Sequence, residues 1–168
     1  MASTAKPATK KTAPAKKAAN AKPQDAIAML KADHKKVSGL FEEYEKTNST
    51  AKKFKLTSQI CTELTVHAEV EEEIFYPAVK AALKDRELVP EATVEHATLK
   101  DLIAQVKDKQ PDGEMFDAKI KVMSEYVKHH VKEEQNEMFP KARNTKLDMM
   151  ALGEQMLARK QQLLGAAP

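Results

Sequence analysis

The chain contains very little of several residue types on which other classes of protein depend. Tryptophan is absent, and the 168 residues include only 4 glycines and a single cysteine, Cys61. One cysteine excludes an intrachain disulfide and a Cys-x-x-Cys pair, and the sequence has no glycine-rich phosphate loop and no nucleophilic triad. No apolar run approaches the ~18 residues that cross a bilayer. We therefore expect a protein without membrane spans in a reducing compartment, the cytoplasm.

The abundant residues favour helix throughout the body of the chain. Alanine, lysine, glutamate, leucine and methionine are plentiful, and apolar residues recur at helical spacing from Gln24 onward. Turn residues and prolines predict helices over about 24–46, 50–76, 88–110, 112–139 and 147–164, with the second continuing past Pro77 to about residue 84. The short connections predict an all-α, antiparallel up-down-up-down four-helix bundle over residues 24–140. Residues 141–168 are expected to form a C-terminal helix that packs on this bundle.

The first 23 residues differ from the rest of the chain. They contain six lysines and no acidic residue, so the body that follows has three more acidic than basic residues although the whole chain carries +3. Alanine, lysine, proline and threonine dominate this tail and cannot bury enough apolar surface to fold, which predicts disorder over residues 1–23. Such a tail either makes weak, non-specific contact with DNA phosphates or only keeps the chain soluble.

One pattern occurs twice in the body. Each copy has a histidine, a glutamate four residues later and a proline six residues after the glutamate. The two copies begin with His67 and Glu71 and with His130 and Glu134. A lone histidine precedes each copy, His34 by 33 residues and His96 by 34. Imidazole favours iron, zinc or copper, and a carboxylate can span two cations. The four histidines and two glutamates therefore predict a dinuclear metal centre.

Each of these six residues lies within the apolar stripe of its helix, because residues three, four and seven apart share a face. The stripes are Ile27, Leu30, His34, Val37 and Phe41; Ile60, Leu64, His67, Glu71 and Ile74; Val89, Ala92, His96, Leu99 and Ile103; and Met123, Val127, His130, Glu134 and Met138. A carboxylate buried in a bundle core costs several kcal/mol unless it is paired or bound to a cation. Metal binding explains all six positions together.

The acidic neighbours of these residues are assigned to solvent. Glu72 points away from the ligand face, and Asp33 and Glu95, which immediately precede the two lone histidines, are expected to be exposed and not to orient imidazoles. His129 lies about 100° around its helix from His130 and is not expected to bind the metal.

On these motifs, over about residues 24–140, the chain resembles the hemerythrin family, the HHE cation-binding domains of bacteria. Members of that family are four-helix bundles with a non-haem di-iron site, so the resemblance implies two iron ions joined by an oxo or hydroxo bridge. The bridging carboxylates would be Glu71 and Glu134, and the other ligands would be His34 and His67 on one ion and His96 and His130 on the other. Residue types alone leave zinc or manganese open.

The match to the family has a gap. Its oxygen-carrying members place a further histidine one turn after the third-helix histidine, where this chain has Lys100. The candidates for the missing ligand are Tyr126, one turn before His130, and Glu63, one turn before His67. Tyr126 is the better candidate, because a phenolate can bind ferric iron. If neither binds, one iron gains a solvent position at which peroxide or nitric oxide can react.

We therefore expect a protein that handles dioxygen, peroxide or nitric oxide, with consumption of peroxide or nitric oxide favoured over oxygen storage. One alternative is an iron sensing or storage bundle, although none of the 5 histidines follows a glutamate by three residues as in the Glu-x-x-His pairs of ferritin-like bundles. Another alternative is a nucleic-acid-associated protein that acts through its lysine-rich tail. The oligomeric state stays open.

Overall fold

A computed structural model of the chain describes residues 24–84 and 86–165. The helices are α1 (Ala26–Glu45), α2 (Thr50–Val70), α3 (Tyr76–Leu83), α4 (Leu88–Val106), α5 (Glu114–Glu133), α6 (Phe139–Arg143) and α7 (Met149–Gly165). One-turn π-helices join α2 to α3 (π1, Glu71–Phe75) and α5 to α6 (π2, Glu134–Met138). The all-helical prediction is confirmed for this part of the chain, while the predicted disorder of residues 1–23 lies outside the described residues. None of the described helices is long and apolar enough to cross a membrane.

Local sequence explains where several helices begin and end. The Asp25 carboxylate caps α1 by accepting a hydrogen bond from the backbone N–H of Ala28 at 2.8 Å. Ser49 caps α2 in the same way, accepting from the N–H of Lys52 at 3.3 Å. At the far end of α3, Lys84 adopts a left-handed conformation with φ 53°, which stops the helix.

Each π-helix ends two residues before a proline. The Tyr76 N–H donates to the carbonyl of Glu71, five residues back, and the Phe139 N–H donates to the carbonyl of Glu134 in the same pattern. Because a proline has no N–H to donate, an unbroken α-helical ladder cannot pass it. The helix widens for one turn instead and continues, so α3 extends past Pro77 as predicted, and the fourth helix runs beyond its predicted end as α6.

Four long helices enclose a common interior. Helix α1 packs against α2 and α5, and α4 packs against the same two helices, which closes the ring. Helix α7 lies against α1, α2 and π1. At Gly153 this helix lies against the backbone that precedes α1, because an added Cβ would stand 2.2 Å from the backbone oxygen of Gln24. Only a residue without a side chain fits this contact.

The apolar core is divided into two clusters. One includes Ile27, Leu30, Val70, Phe75, Val79, Ala92, Met138, Phe139 and Met156. The other includes Val37, Phe41, Ile60, Leu64, Leu99, Ile103, Phe116, Met123 and Val127. On each of α1, α2 and α4, the predicted ligand histidine stands between a residue of one cluster and a residue of the other, and His130 stands between Val127 of α5 and Met138 of π2 in the same way. The polar residues thus form a layer within apolar surroundings.

Candidate metal centre

The structure brings all six predicted ligands together. Their side chains form two groups, one of His34, His67, Glu71 and Glu134 and one of Glu71, His96 and His130, with one ligand atom from each residue within 4.8 Å of the others in its group. All six residues are buried, from 0% exposure at Glu71 to 9% at His67. Glu71 belongs to both groups.

The histidines are arranged as two pairs. The Nε2 atoms of His34 and His67 are 3.1 Å apart, and those of His96 and His130 are 3.2 Å apart. Two nitrogens bound to one transition-metal ion, each at about 2.1 Å, lie about 3 Å apart when the two bonds meet near a right angle. Each pair therefore has the spacing that one shared cation requires.

The two glutamates connect the histidine pairs. Glu71 Oε2 lies 3.2 Å from Nε2 of His67, one turn earlier in the helix, and 3.4 Å from Nε2 of His96. Glu134 Oε2 lies 3.2 Å from the Nε2 of His34 and 3.6 Å from that of the histidine one turn before it. Each carboxylate therefore contacts one histidine of each pair, which is the position of a bridging ligand between two cations.

The carboxylates also carry the strongest indication that the site fits metal ions. Glu71 and Glu134 are 0% and 1% exposed, and within the described residues Glu71 Oε1 and Glu134 Oε2 accept no hydrogen bond. An ionised carboxylate in such a place is costly unless a cation or a donor faces each oxygen. Imidazole nitrogens and carboxylate oxygens are the donor set for first-row transition metals, so the residues present fit a pair of such ions.

Each imidazole directs Nε2 to the centre, and its Nδ1 faces a side chain outside the ligand set. These partners are Asp33 Oδ2 for His67 at 3.7 Å, Glu72 Oε1 for His96 at 3.0 Å, Glu95 Oε2 for His130 at 2.6 Å and Gln135 Nε2 for His34 at 3.1 Å. The Glu72 and Glu95 carboxylates accept the Nδ1 protons of His96 and His130 and fix the orientation of these two rings, so that Nε2 presents its lone pair. Asp33 faces His67 only at ion-pair distance, and the amide nitrogen of Gln135 is a donor towards Nδ1 of His34.

The expectation that Asp33, Glu72 and Glu95 are solvated acids is therefore wrong. Each stands next to a ligand in sequence, about 100° around its helix, and this direction aims it at a histidine of the same layer on a neighbouring helix. Two of the three carboxylates are in turn paired with lysines: Glu72 accepts from Lys100 Nζ at 2.7 Å, and Asp33 pairs with Lys160 of α7.

Charges within the metal-free centre keep the Glu134 carboxylate ionised. Burial acts to raise the pKa of Glu134, but the imidazoles of His130 and His34 outweigh this effect and lower that pKa to about 2. Burial likewise acts to lower the pKa of His67, but the nearby Glu71 carboxylate and further acidic groups outweigh it and raise that pKa to about 10. Without a cation, protons on His67 and His130, whose pKa values are raised, compensate the anionic oxygens, and metal binding has to displace them.

Tyr76 is a residue of the site that the sequence analysis missed. Its Oη donates to Glu134 Oε1 at 2.9 Å and lies 3.3 Å from Glu71 Oε2, 3.3 Å from His96 Nε2 and 3.5 Å from His130 Nε2. Burial, with the two carboxylates, raises the pKa of the phenol well above its ordinary value. Tyr76 follows Glu71 by five residues, which places it off the ligand face in an α-helix but returns it to that face through the wider turn of π1.

The residues predicted as a seventh ligand do not join the other six. Glu63 is paired with Lys36 Nζ at 2.6 Å, and Tyr126 is half-buried on α5, with no hydrogen bond to the six ligands among the described residues. The sequence did hold a signal that distinguishes Tyr76. The two copies of the repeat match at their histidine and glutamate but place Tyr76 before one proline and Phe139 before the other.

A small cavity adjoins the imidazoles. Its volume is about 20 Å³, and it is lined by the four histidines together with Val37, Leu64, Leu99, Val127 and other residues. A cavity of this size accommodates about one water molecule. The centre therefore has room for one small molecule next to the histidines, in a mainly apolar enclosure.

These features define a class of protein: a helical bundle whose buried histidines and glutamates are able to hold metal ions. Comparison with known families agrees. The profile of the hemerythrin HHE cation binding domain matches residues 25–142, so the chain belongs to this family, as its motifs indicated.

Two relatives extend this finding. The chain is 34% identical over 121 residues to a protein named DNA nickase from Nostoc sp. (strain PCC 7120), a match that covers 72% of this chain and 33% of that protein. The chain thus spans about a third of the length of that relative. It is also similar to the crystal structure of a hemerythrin HHE cation binding domain-containing protein from Mycobacterium kansasii, with a TM-score of 0.71, 26% identity, and coverage of 85% of this chain and 89% of the other.

Proposed function

We propose that this chain is a non-haem di-iron protein that binds or reacts with dioxygen, peroxide or nitric oxide. The observation that carries the proposal is the pair of buried carboxylates, each contacting one histidine from both pairs, beside a cavity for one small molecule. Two cations held this close by shared ligands suit a reaction with a small molecule better than they suit a purely structural role.

The donor set favours iron among the candidate metals. Four imidazoles and two carboxylates suit iron, zinc or manganese, and the sequence offers no second cysteine to build a thiolate site. We assign Tyr76 as the seventh ligand, on the ion of His96 and His130, because its oxygen lies at donor distances from both of their Nε2 atoms. A phenolate oxygen stabilises the trivalent state, which iron reaches readily and zinc does not.

The residues around the centre position its ligands and leave room for a substrate. Iron, when bound, supplies one-electron redox chemistry towards oxygen and nitrogen oxides. Glu72 and Glu95 hold the Nδ1 protons of His96 and His130, and Tyr76 donates its phenol proton to Glu134 Oε1. Lys100, at the position where oxygen carriers have a further histidine, points to Glu72 and supplies no ligand. The cavity is our proposed site for peroxide, nitric oxide or dioxygen, with turnover favoured over storage.

Metal analysis and an absorption spectrum of aerobically purified protein test this proposal. We expect two iron ions per chain and consumption of hydrogen peroxide or nitric oxide. Glu71→Gln should lose both the metal and the activity, whereas Glu69→Gln, which removes the same charge two residues away on the same helix, should keep both. Protein that holds zinc alone, or iron-loaded protein inert towards dioxygen, peroxide and nitric oxide, would contradict the proposal.

A second candidate function, contact with DNA, rests on two observations. Residues 1–23 hold six lysines and no acid, and a relative covering most of this chain is named a DNA nickase. Phosphate neutralisation by such a tail produces binding that weakens steeply with salt. The full chain should then be retained on DNA at low salt, and a chain of residues 24–168 should not. Equal retention of the two chains would exclude the tail as a DNA contact.

A further inference from the structure

A second group of ligand atoms lies just outside the buried centre. His129 on α5 has its Nε2 3.2 Å from Glu133 Oε1 and 3.7 Å from Glu95 Oε1 on α4, and the three residues form a group of metal-binding type. The side chain of His129 is 60% exposed, that of Glu133 34% and that of Glu95 10%. The group therefore extends from solvent to the edge of the buried layer.

The partners of this group favour a cation over an ordinary surface ion pair. Among the described residues, no lysine or arginine forms a salt bridge with Glu95 or Glu133, so the two carboxylates share only histidines. The separation from His129 Nε2 to Glu133 Oε1, 3.2 Å, is near the ~3 Å between neighbouring donors on one transition-metal ion, and Glu95 Oε1 lies farther from the same nitrogen, at 3.7 Å. One imidazole and two carboxylates suit a divalent first-row ion such as Fe²⁺, Mn²⁺ or Zn²⁺.

A narrow cavity leads from this group to the buried centre. It has a volume of about 10 Å³ and is lined by Glu95 and Glu133 at the outer group and by His130 and Glu134 at the buried one. At its inner end stands Glu134, 1% exposed, whose Oε2 accepts no hydrogen bond within the described residues. Its Oε2 faces the imidazoles of His34 and His130, so this carboxylate at the end of the passage can accept an incoming cation.

Glu95 belongs to both places. Its Oε1 faces His129 in the outer group, while its Oε2 accepts from Nδ1 of His130, a ligand of the buried centre, at 2.6 Å. A cation held at the outer group would thus be one carboxylate away from a buried ligand.

The first repeat has no such group, although its ligands match those of the second. At the positions that correspond to His129 and Glu133 it has Val66 and Val70, which are 7% and 1% exposed. The counterpart of Glu95 is Asp33, which is paired with Lys160. The outer group is therefore not a consequence of the repeat. Among the described residues it occurs beside the second copy, next to His130, and not beside the first.

We propose that Glu95, His129 and Glu133 form a loading site, which captures a divalent cation at the surface and passes it between α4 and α5 to His130 and Glu134. The transfer half of this inference rests on the proposed function, since it needs the buried residues to hold metal. The capture half concerns only the surface residues and stands on their own geometry.

Loading kinetics test the transfer. Full-length, metal-free protein is mixed rapidly with Co²⁺, and the visible absorption of the bound ion is followed with time. His129→Ala and Glu133→Gln should each slow loading about tenfold, because a focused negative entrance raises the capture rate by at least that factor. Both variants should still reach the wild-type number of ions bound at the buried centre.

Glu125→Gln is the matched control, because it removes an equal charge from the exposed face of the same helix one turn before His129. It should load at the wild-type rate. Unchanged loading in both test variants, or equal slowing in the control, would overturn the proposal.

Equilibrium binding tests the capture directly. Protein already loaded at the buried centre with Zn²⁺ should bind one further Zn²⁺ with a Kd of about 1 mM or tighter, and His129→Ala should lose that ion alone. Absence of the further ion in wild-type protein overturns the loading site and leaves the buried centre intact. Failure of the buried residues to bind metal would instead refute the proposed function, so the two failures are distinguishable.

Discussion

Replacing Tyr76 by phenylalanine removes one oxygen atom from the middle of the candidate centre. The ring is 2% exposed and stacks on the His96 imidazole with centroids 5.4 Å apart, and phenylalanine preserves this packing. The substitution therefore isolates the hydroxyl, which donates to Glu134 Oε1 at 2.9 Å and lies within reach of both histidines of its pair.

The structure sets the size of the expected effect in the metal-free protein. A buried hydrogen bond to a charged acceptor contributes about 1.5–3 kcal/mol, and losing it leaves a Glu134 oxygen without its donor. At roughly 2–4 °C per kcal/mol for a domain of this size, Tyr76→Phe should lower Tm by about 3–12 °C. In the metal-loaded protein a cation faces the same carboxylate, so the change in Tm should depend on the metal and not only on the lost hydrogen bond.

Spectroscopy of the iron-loaded protein then separates a ligand from a packing residue. A phenolate bound to ferric iron gives visible charge-transfer absorption, which Tyr76→Phe should abolish. Tyr126→Phe, at the tyrosine that sequence reasoning favoured, should leave both the absorption and the metal-free Tm unchanged. If the absorption survives in Tyr76→Phe or disappears in Tyr126→Phe, our assignment of the seventh ligand is wrong.

Three further predictions follow from particular contacts. Gly153→Ala should destabilise the protein by about 1–3 kcal/mol in urea unfolding, since its Cβ would stand 2.2 Å from a backbone oxygen. Gly39→Ala is the control: an added Cβ in the middle of α1 would meet no atom within 4 Å, so this substitution should stabilise the protein by about 0.5–1 kcal/mol. Glu72→Gln should weaken metal binding at His96 by about 10–100-fold in chelator competition, and an unchanged affinity would show that this hydrogen bond does not tune the ligand. In metal-free protein the raised pKa of His67 contributes stability that is fully present below pH 6.5 and is lost as the pH rises through about 10. The free energy of unfolding measured across this range should therefore fall, and His67→Gln should reduce this dependence on pH.

The six buried ligands could be predicted because their positions follow from each helix alone. His67 and Glu71 are one turn apart at the end of α2, and each stands in an apolar stripe where a charge needs a partner. Tyr76 could not be placed in this way, because a rule of 3.6 residues per turn fails across the π-helix that precedes it. Asp33 and Glu95 were misassigned for another reason: their partners stand on different helices, and a single helical wheel does not show which helix is adjacent.

What the sequence alone determined is therefore the helical class, the family and the layer of polar residues inside an apolar core. The family follows from the resemblance of the motifs, whereas the helical class and the polar layer depend on periodicity along one helix and on the cost of burying a charge, which are local quantities. Only the tertiary structure decided that Tyr76 reaches the ligands, that Lys160 of α7 pairs with Asp33, and that one narrow cavity is lined by both Glu133 and Glu134. Those contacts depend on π-turns and on the relative placement of helices far apart in the chain, which spacing in the sequence does not encode.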